Sequence, residues 1–502
     1  MEAKLGLNGY RCDRMVFAKT VTQTQSQECV VPDTLPDIAA ILCTSGNVLI
    51  RSKDVAEGHV RLEVNIPARV YCAGEDGTER FCLDVNIPFY ISAESEDVTE
   101  GCICTAELTL KHLETRMLNP RKITVRAEIT AQLECFAETL QEFSTAPETP
   151  DGTIHVLEKA AELTEIGCVT EKTFVLTDEF ELPQDQGPAT EIISQNAQIA
   201  IQELRSVGSK LIAKGSVCSE LIYVTERGEL EAATFQTPFS QIIETQTETE
   251  DKLFEIRMLL SGMYYEPMPV TDGASISAEL HLVAQTLVYQ RFSVRYLADA
   301  YSNAYALEAR REQRESALMS REVVLRDSYT VSIETAGEVR SVISCSAAPA
   351  GWSYADGELS LQLRVLACWR GADGIMSTER MVTVRSKPDT GEETLKICGI
   401  SVQDIHAAPD NGGVEVRIGV EIRAFAARET TLDYVAAITY DENAPLEQDD
   451  KPTVVILYPG NRGSLWETAK EYCSTVEAIC AVNALGEDDE IADRILLIPK
   501  TL

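Results

Sequence analysis

A short stretch near the start of the chain, Val30 to Leu42 (VVPDTLPDIAAIL), returns as Leu182 to Ile193 (LPQDQGPATEII), with Pro32 answered by Pro183, Ile41 by Ile192 and Leu42 by Ile193. No other feature constrains the fold as much, because one supersecondary unit must then be stable in successive copies. The echo continues downstream: Gly77 returns as Gly228, and Pro88-Phe89 as Pro238-Phe239. Ile123, Val125, Ala127, Ile129, Ala131 and Leu133 return as Ile276, Ala278, Leu280, Leu282 and Ala284. A third, fainter copy carries Leu359, Leu361, Leu363, Val365 and Ala367, the turn Asp373-Gly374, and Val414 to Ile422 in alternation, but lacks the Pro-Asp arm.

The apolar residues recur with period two. Val60, Leu62, Val64, Ile66, Ala68 and Val70 alternate with mostly polar neighbours, the pattern of a strand with one face in a core. Such half-buried antiparallel sheets must cover one another or close on themselves. The fold class is therefore mainly β: tandem antiparallel β-sandwich-like repeats at 1–145, 153–290 and, divergently, 296–440, with a small α+β tail at 452–502. The tail reads as βααβ, with strands at Val454 to Tyr458 and Ile495 to Ile498 and two short helices between them. Two helical departures are expected in the body. One is a turn carried by Ile38, Ile41 and Leu42 at helical spacing; the other is a bridge from Tyr296 to Arg314, rich in Ala, Leu, Glu and Arg. Ser144 to Thr153 and Asp441 to Pro452, with their prolines, read as linkers.

Charge narrows the function classes. With 44 basic and 80 acidic residues the formal net charge is -36, which opposes binding to a phosphate backbone, so no nucleic-acid partner is expected. No run approaches the roughly 18 apolar residues of a membrane span, and no secretory leader is evident, so a cytoplasmic location is expected. The 15 cysteines are irregularly spaced without a CxxC pair, and Cys102 and Cys104 fall on one strand face with Ala106 and Leu108, as core thiols do.

His59, His112, His155, His281 and His406 form no metal or triad spacing, and no phosphate-cradling glycine loop is present, so no enzyme, cofactor or metal is expected. Asp33 and Asp37 could form a carboxylate pair for acid-base work. Their simpler reading is local: an Asx turn after Pro32, and a cap on the helical turn that follows Asp37.

Ser464-Leu465-Trp466, Ala469, Tyr472, Thr475-Val476, Ile479, Asn483 and Leu496 to Pro499 make the tail resemble a LysM domain. The turn that contacts glycan in that family reads Arg462-Gly463-Ser464 here in place of Gly-Asp-Thr. VVPDTLPDIAAIL, its echo and LADAYSNAY resemble the SPOCS repeats (formerly DUF3794) of clostridial sporulation proteins, and repeats followed by one LysM module is the SipL-type layout. The resemblance implies a spore coat assembly scaffold in the mother-cell cytosol, acting at the forespore surface by protein-protein interaction. It implies that the tail binds the coat morphogenetic ATPase, stage IV sporulation protein A. Partner contacts are expected from Arg462, Leu465, Trp466, Ile479, Val482 and Asn483, with Trp466 either core or an exposed anchor. The rival reading is a peptidoglycan-binding cell-wall protein.

Overall fold

The computed structural model describes residues 2–75, 79–147, 153–183, 187–246, 252–270, 273–335, 337–372, 374–388, 393–446, 454–458, 464–486, 491 and 494–500. The first unit contains β1 (Leu5–Val30), β2 (Ile38–Ser45), β3 (Leu49–Ala56), β4 (His59–Gly74), β5 (Arg80–Glu94), β6 (Ile103–Asn119) and β7 (Lys122–Pro147). The second contains β8 (Ile154–Glu181), β9 (Ala189–Val207), β10 (Lys210–Thr225), β11 (Leu230–Glu244), β12 (Lys252–Val270) and β13 (Gly273–Ser302). The third contains β14 (Tyr305–Glu334), β15 (Val339–Ala355), β16 (Glu358–Gly371), β17 (Gly374–Ser386), β18 (Thr394–Asp410) and β19 (Gly413–Pro445). The tail adds β20 (Val454–Leu457), α1 (Leu465–Tyr472), α2 (Val476–Asn483) and β21 (Leu496–Pro499). The fold is mainly β, in antiparallel sheets throughout the body.

All three units follow one plan. The first and last strands pair, and the penultimate strand takes the other side of the last, giving sheets β1-β7-β6, β8-β13-β12 and β14-β19-β18. The middle strands form the facing sheet: β2/β3-β4-β5, β9-β10-β11 and β15-β16-β17. The third unit shares the fold even though its sequence echo is faint. The same backbone bond follows the first strand of each unit: Val31 N donates to Arg121 O, Leu182 N to Ala274 O, and Thr335 N to Gly412 O.

The alternation sets the cores. Val60, Val64 and Ile66 on β4 meet Ile123, Val125 and Ile129 on β7 in one cluster closed to solvent. Leu361 to Ala367 and Val414 to Ile422 do the same in the third unit. Cys102 and Cys104 lie in the first core as free thiols. Gly228 and Gly374 take the positive φ, 75° and 115°, that their turns require.

Several expectations need correction. Ile38 to Leu42 is not a helical turn but part of strand β2. Asp37 therefore caps no helix; the guanidinium of Arg121, in the β6-β7 turn, donates to Asp37 Oδ1 at 3.1 Å and to the carbonyls of Val31, Pro32 and Leu35, so one cation fills the arm's acceptors. Asp33 is touched by the same group at 3.4 Å and is otherwise open to solvent. Tyr296 to Arg314 is not helical: β13 runs on to Ser302, past the expected boundary at 290, and β14 begins at Tyr305. Of the expected linkers, β7 extends to Pro147 and β19 to Pro445, while residues 148–152 and 447–453 lie outside the described residues.

The units also bind one another through backbone-directed side chains. Asn47 donates to Ala197 O at 3.1 Å, Gln198 to Ala347 O at 2.5 Å, and Ser377 to Leu42 O at 2.8 Å, so each unit touches the other two. Where the second unit meets the third, Glu220 on β10 accepts from Asn196 Nδ2 at 3.3 Å, and burial pushes its carboxyl up to about 7. A carboxyl whose folded pKa is raised stabilises the fold below the unfolded pKa and loses that contribution as pH climbs to the folded value. Glu220→Gln is therefore expected to gain about 3 kcal/mol in stability at pH 8 and almost nothing at pH 4, as read by urea unfolding at the two pH values.

Beneath this lies a buried charge cluster with one residue from the same register position of each unit. Thr105 stands opposite Glu134, Glu255 opposite Leu287, and Lys396 opposite Phe425. Arg257 donates to Glu134 at 2.7 Å, to Glu255 at 2.8 and 2.5 Å and to Thr105 at 3.2 Å. Tyr289 donates to the other oxygen of Glu255 at 2.9 Å, and Lys396 donates to the Tyr289 hydroxyl at 2.6 Å. Burial disfavours the Arg257 charge, but Glu255 and Glu134 outweigh it and hold its pKa above the ordinary value. Lys396 meets the Tyr289 phenol, and burial lowers its pKa even against the attraction of Glu255.

Candidate protein-interaction site

The core of the tail is drawn from both of its helices and both of its strands. Ser464 caps α1 by accepting from Glu467 N at 3.2 Å, and Thr475 caps α2 by accepting from Ala478 N at 3.0 Å. Both helices end in left-handed residues, Cys473 and Ala484. Between helices and strands, Leu465, Ala469, Ile479, Leu496 and Ile498 form a closed core. Leu465 and Ile479, expected at a partner surface, are thus core residues at 5% and 0% exposure, because α1 and α2 turn these positions onto the sheet.

One member of that core comes from outside the tail. Tyr301, near the end of β13, is 5% exposed, donates its hydroxyl to Ser474 O at 2.8 Å, and meets the Trp466 ring edge-on at 4.8 Å. Trp466 Nε1 donates to Asp299 Oδ2 at 2.8 Å, and Lys470 pairs with the same carboxylate at 2.7 Å. Burial alone would raise the Asp299 pKa; the hydrogen bonds from Lys470 and Trp466 bring it below the usual carboxylate range. Trp466 is therefore engaged with the second repeat, and this face of the tail is covered by the chain's own body.

The opposite face is open. β20 and β21 pair with Ile456 opposite Leu497 and Val455 opposite Ile498, so neighbours along each strand point to opposite sides. Val455, Leu457, Leu496 and Ile498 face the core, while Val454, Ile456 and Leu497 face solvent at 49%, 72% and 38% exposure. Tyr458 and Ile495 share that parity and are exposed, and Val482 of α2 is exposed too. Asn483 is structural: its Nδ2 donates to Leu497 O at 2.6 Å and its Oδ1 accepts from Leu497 N at 2.8 Å, so a side-chain amide occupies the outer flank of β21. Arg462 lies outside the described residues.

No family model, no curated protein and no solved structure matches this chain. The site therefore rests on its own geometry. Of the six residues the sequence nominated, Val482 is exposed, Trp466 and Asn483 are bonded within the chain, and two are core. The exposed sheet face was missed. Its signal was present in VVIL and ILLI, since runs apolar at every position mark strands that cover something on both sides. Among the described residues no group of three or more His, Cys, Asp or Glu is placed to hold a metal, and no helix is long and apolar enough to cross a membrane.

Proposed function

We propose that this chain is a non-enzymatic assembly scaffold of the SPOCS-plus-LysM kind, whose tail binds the spore coat morphogenetic ATPase, stage IV sporulation protein A, at the forespore surface. The supporting observation is the apolar outer face of β20 and β21. A contiguous set of exposed aliphatic side chains backed by a packed core is a poor surface for water and a good one for another polypeptide. The partner's identity comes from the resemblance of the repeats and the tail to that family. The repeats fix the tail through Asp299 and Tyr301, so the scaffold would present this face in one orientation.

The experiment uses the full-length chain and the purified ATPase in biolayer interferometry. Ile456→Asp places a charge in the centre of the face without touching the core and is expected to weaken binding at least tenfold. Binding as tight as wild type would remove this face from the interface. Binding of the chain to N-acetylglucosamine oligomers, with none to the ATPase, would support the cell-wall reading instead.

A further inference from the structure

The facing sheets of the three units meet in one buried cluster, which takes Cys43 and Tyr71 from the first, Ile193 and Ile222 from the second and Cys368 from the third. The strand register brings the two cysteines together. Cys368 on β16 stands directly opposite Ser377 on β17, and the Ser377 hydroxyl donates at 2.8 Å to the carbonyl of Leu42, the residue before Cys43. The two thiols, at 3% and 2% exposure, are hydrogen-bonded to each other across the boundary between the first and third repeats. The whole second repeat lies between them in the chain.

The thiols are not equivalent. The hydrogen bond donated by Cys368 holds the Cys43 thiol below its ordinary range even against burial, while that bond and burial together push Cys368 up. Cys43 is thus the one that reaches the thiolate, which is the form that attacks an oxidant, and Cys368 touches it as a resolving thiol does. Cys104 and Cys135 also touch, opposite each other on β6 and β7, but they sit inside the core of the first repeat. An oxidant reaches those two only if that sandwich opens. Cys43 and Cys368 need only a local parting of two repeats, which is the smaller opening.

We propose that Cys43 and Cys368 are a hydroperoxide-reactive pair, and that their oxidation staples the first repeat to the third. The Cys43 thiolate attacks one oxygen of hydrogen peroxide; the O–O bond breaks, and the leaving hydroxide takes up the proton that Cys43 released and departs as water. Cys43 is left as a sulfenic acid. The Cys368 sulfur displaces that oxygen, which leaves as a second water with the Cys368 proton, and the S–S bond forms. Two thiols are oxidised and one peroxide is reduced. The pair is separate from the tail and independent of which protein the tail binds.

The test treats the native full-length chain with millimolar hydrogen peroxide, blocks the remaining thiols with N-ethylmaleimide and maps the peptides by mass spectrometry without reduction. A peptide pair joined through Cys43 and Cys368 is expected, and dithiothreitol should separate it. In Cys368→Ser the sulfenic acid has no resolving thiol, so dimedone is expected to label Cys43; in Cys43→Ser, Cys368 should stay reduced. The oxidised wild type is expected to unfold at higher urea than the reduced protein, because the bond shortens the unfolded chain. This comparison and the wild-type map need no variant to fold. A wild-type map without the Cys43–Cys368 pair, or one showing only a bond between Cys104 and Cys135, would overturn the proposal. So would dimedone labelling of Cys368 in Cys43→Ser with none of Cys43 in Cys368→Ser, or a bond that forms only in denaturant.

Discussion

Arg257→Met is expected to lower the stability of the repeat body by about 3–5 kcal/mol, the usual cost of removing one partner from a buried ion pair. The size follows from what remains. Among the described residues, Glu255, at 3% exposure, would keep only the Tyr289 hydroxyl as a hydrogen-bond donor, and Glu134 would lose a 2.7 Å bond. Met fills the space of the Arg stem, so the loss is electrostatic rather than a cavity. A second variant isolates that cause: Arg257→Met with Glu134→Gln and Glu255→Gln is expected to recover most of the loss, since the charges go together. Urea unfolding followed by circular dichroism reads both. A triple variant no more stable than the single one would show that packing, not charge, sets the cost.

The second large effect is expected from Tyr301→Ala, which removes an aromatic ring of the second repeat from the core of the tail. Truncating a buried large aromatic costs about 3–5 kcal/mol. Here the cost should fall on one place: amide exchange in α1 and α2 is expected to quicken roughly a hundredfold or more, on the rule of tenfold per 1.4 kcal/mol. Exchange in the sheets of the first repeat should not change. Tyr301→Phe loses only the bond to Ser474 O, and about 1 kcal/mol is expected from it. Equal exchange in wild type and Tyr301→Ala would mean that the tail stands alone.

The repeat was legible because its register is carried by apolar residues with period two, and period two survives substitution. Val414 to Ile422 shares few residues with Ile276 to Ala284, yet both make the same closing strand, and Thr335 N finds Gly412 O as Val31 N finds Arg121 O. The helix expected over Tyr296 to Arg314 failed for the complementary reason. Its composition favours helix, but Leu297 and Ala300 are buried against Val435 and Ile438 of β19 and Tyr301 in the core of the tail, and tertiary packing overrides so weak a preference. The turn at Ile38 to Leu42 failed likewise: an i, i+3, i+4 spacing across five residues does not distinguish a helix from a strand joining a sheet.

Site residues were harder to read because a LysM-like pattern names positions, not the side they face. Leu465 and Ile479 are pattern positions that hold the module together. The contact made by Trp466 depends on Asp299 and Tyr301, more than 160 positions earlier, and no local pattern announces such a pairing.

The amide of Asn483 bears on what such a surface can become. A bare strand pair offers two flanks, and molecules joined flank to flank can lengthen without limit. Here one flank is filled by a residue that imitates a strand and cannot be continued, so any extended segment that adds to this sheet adds beside β20, and the stack stops there.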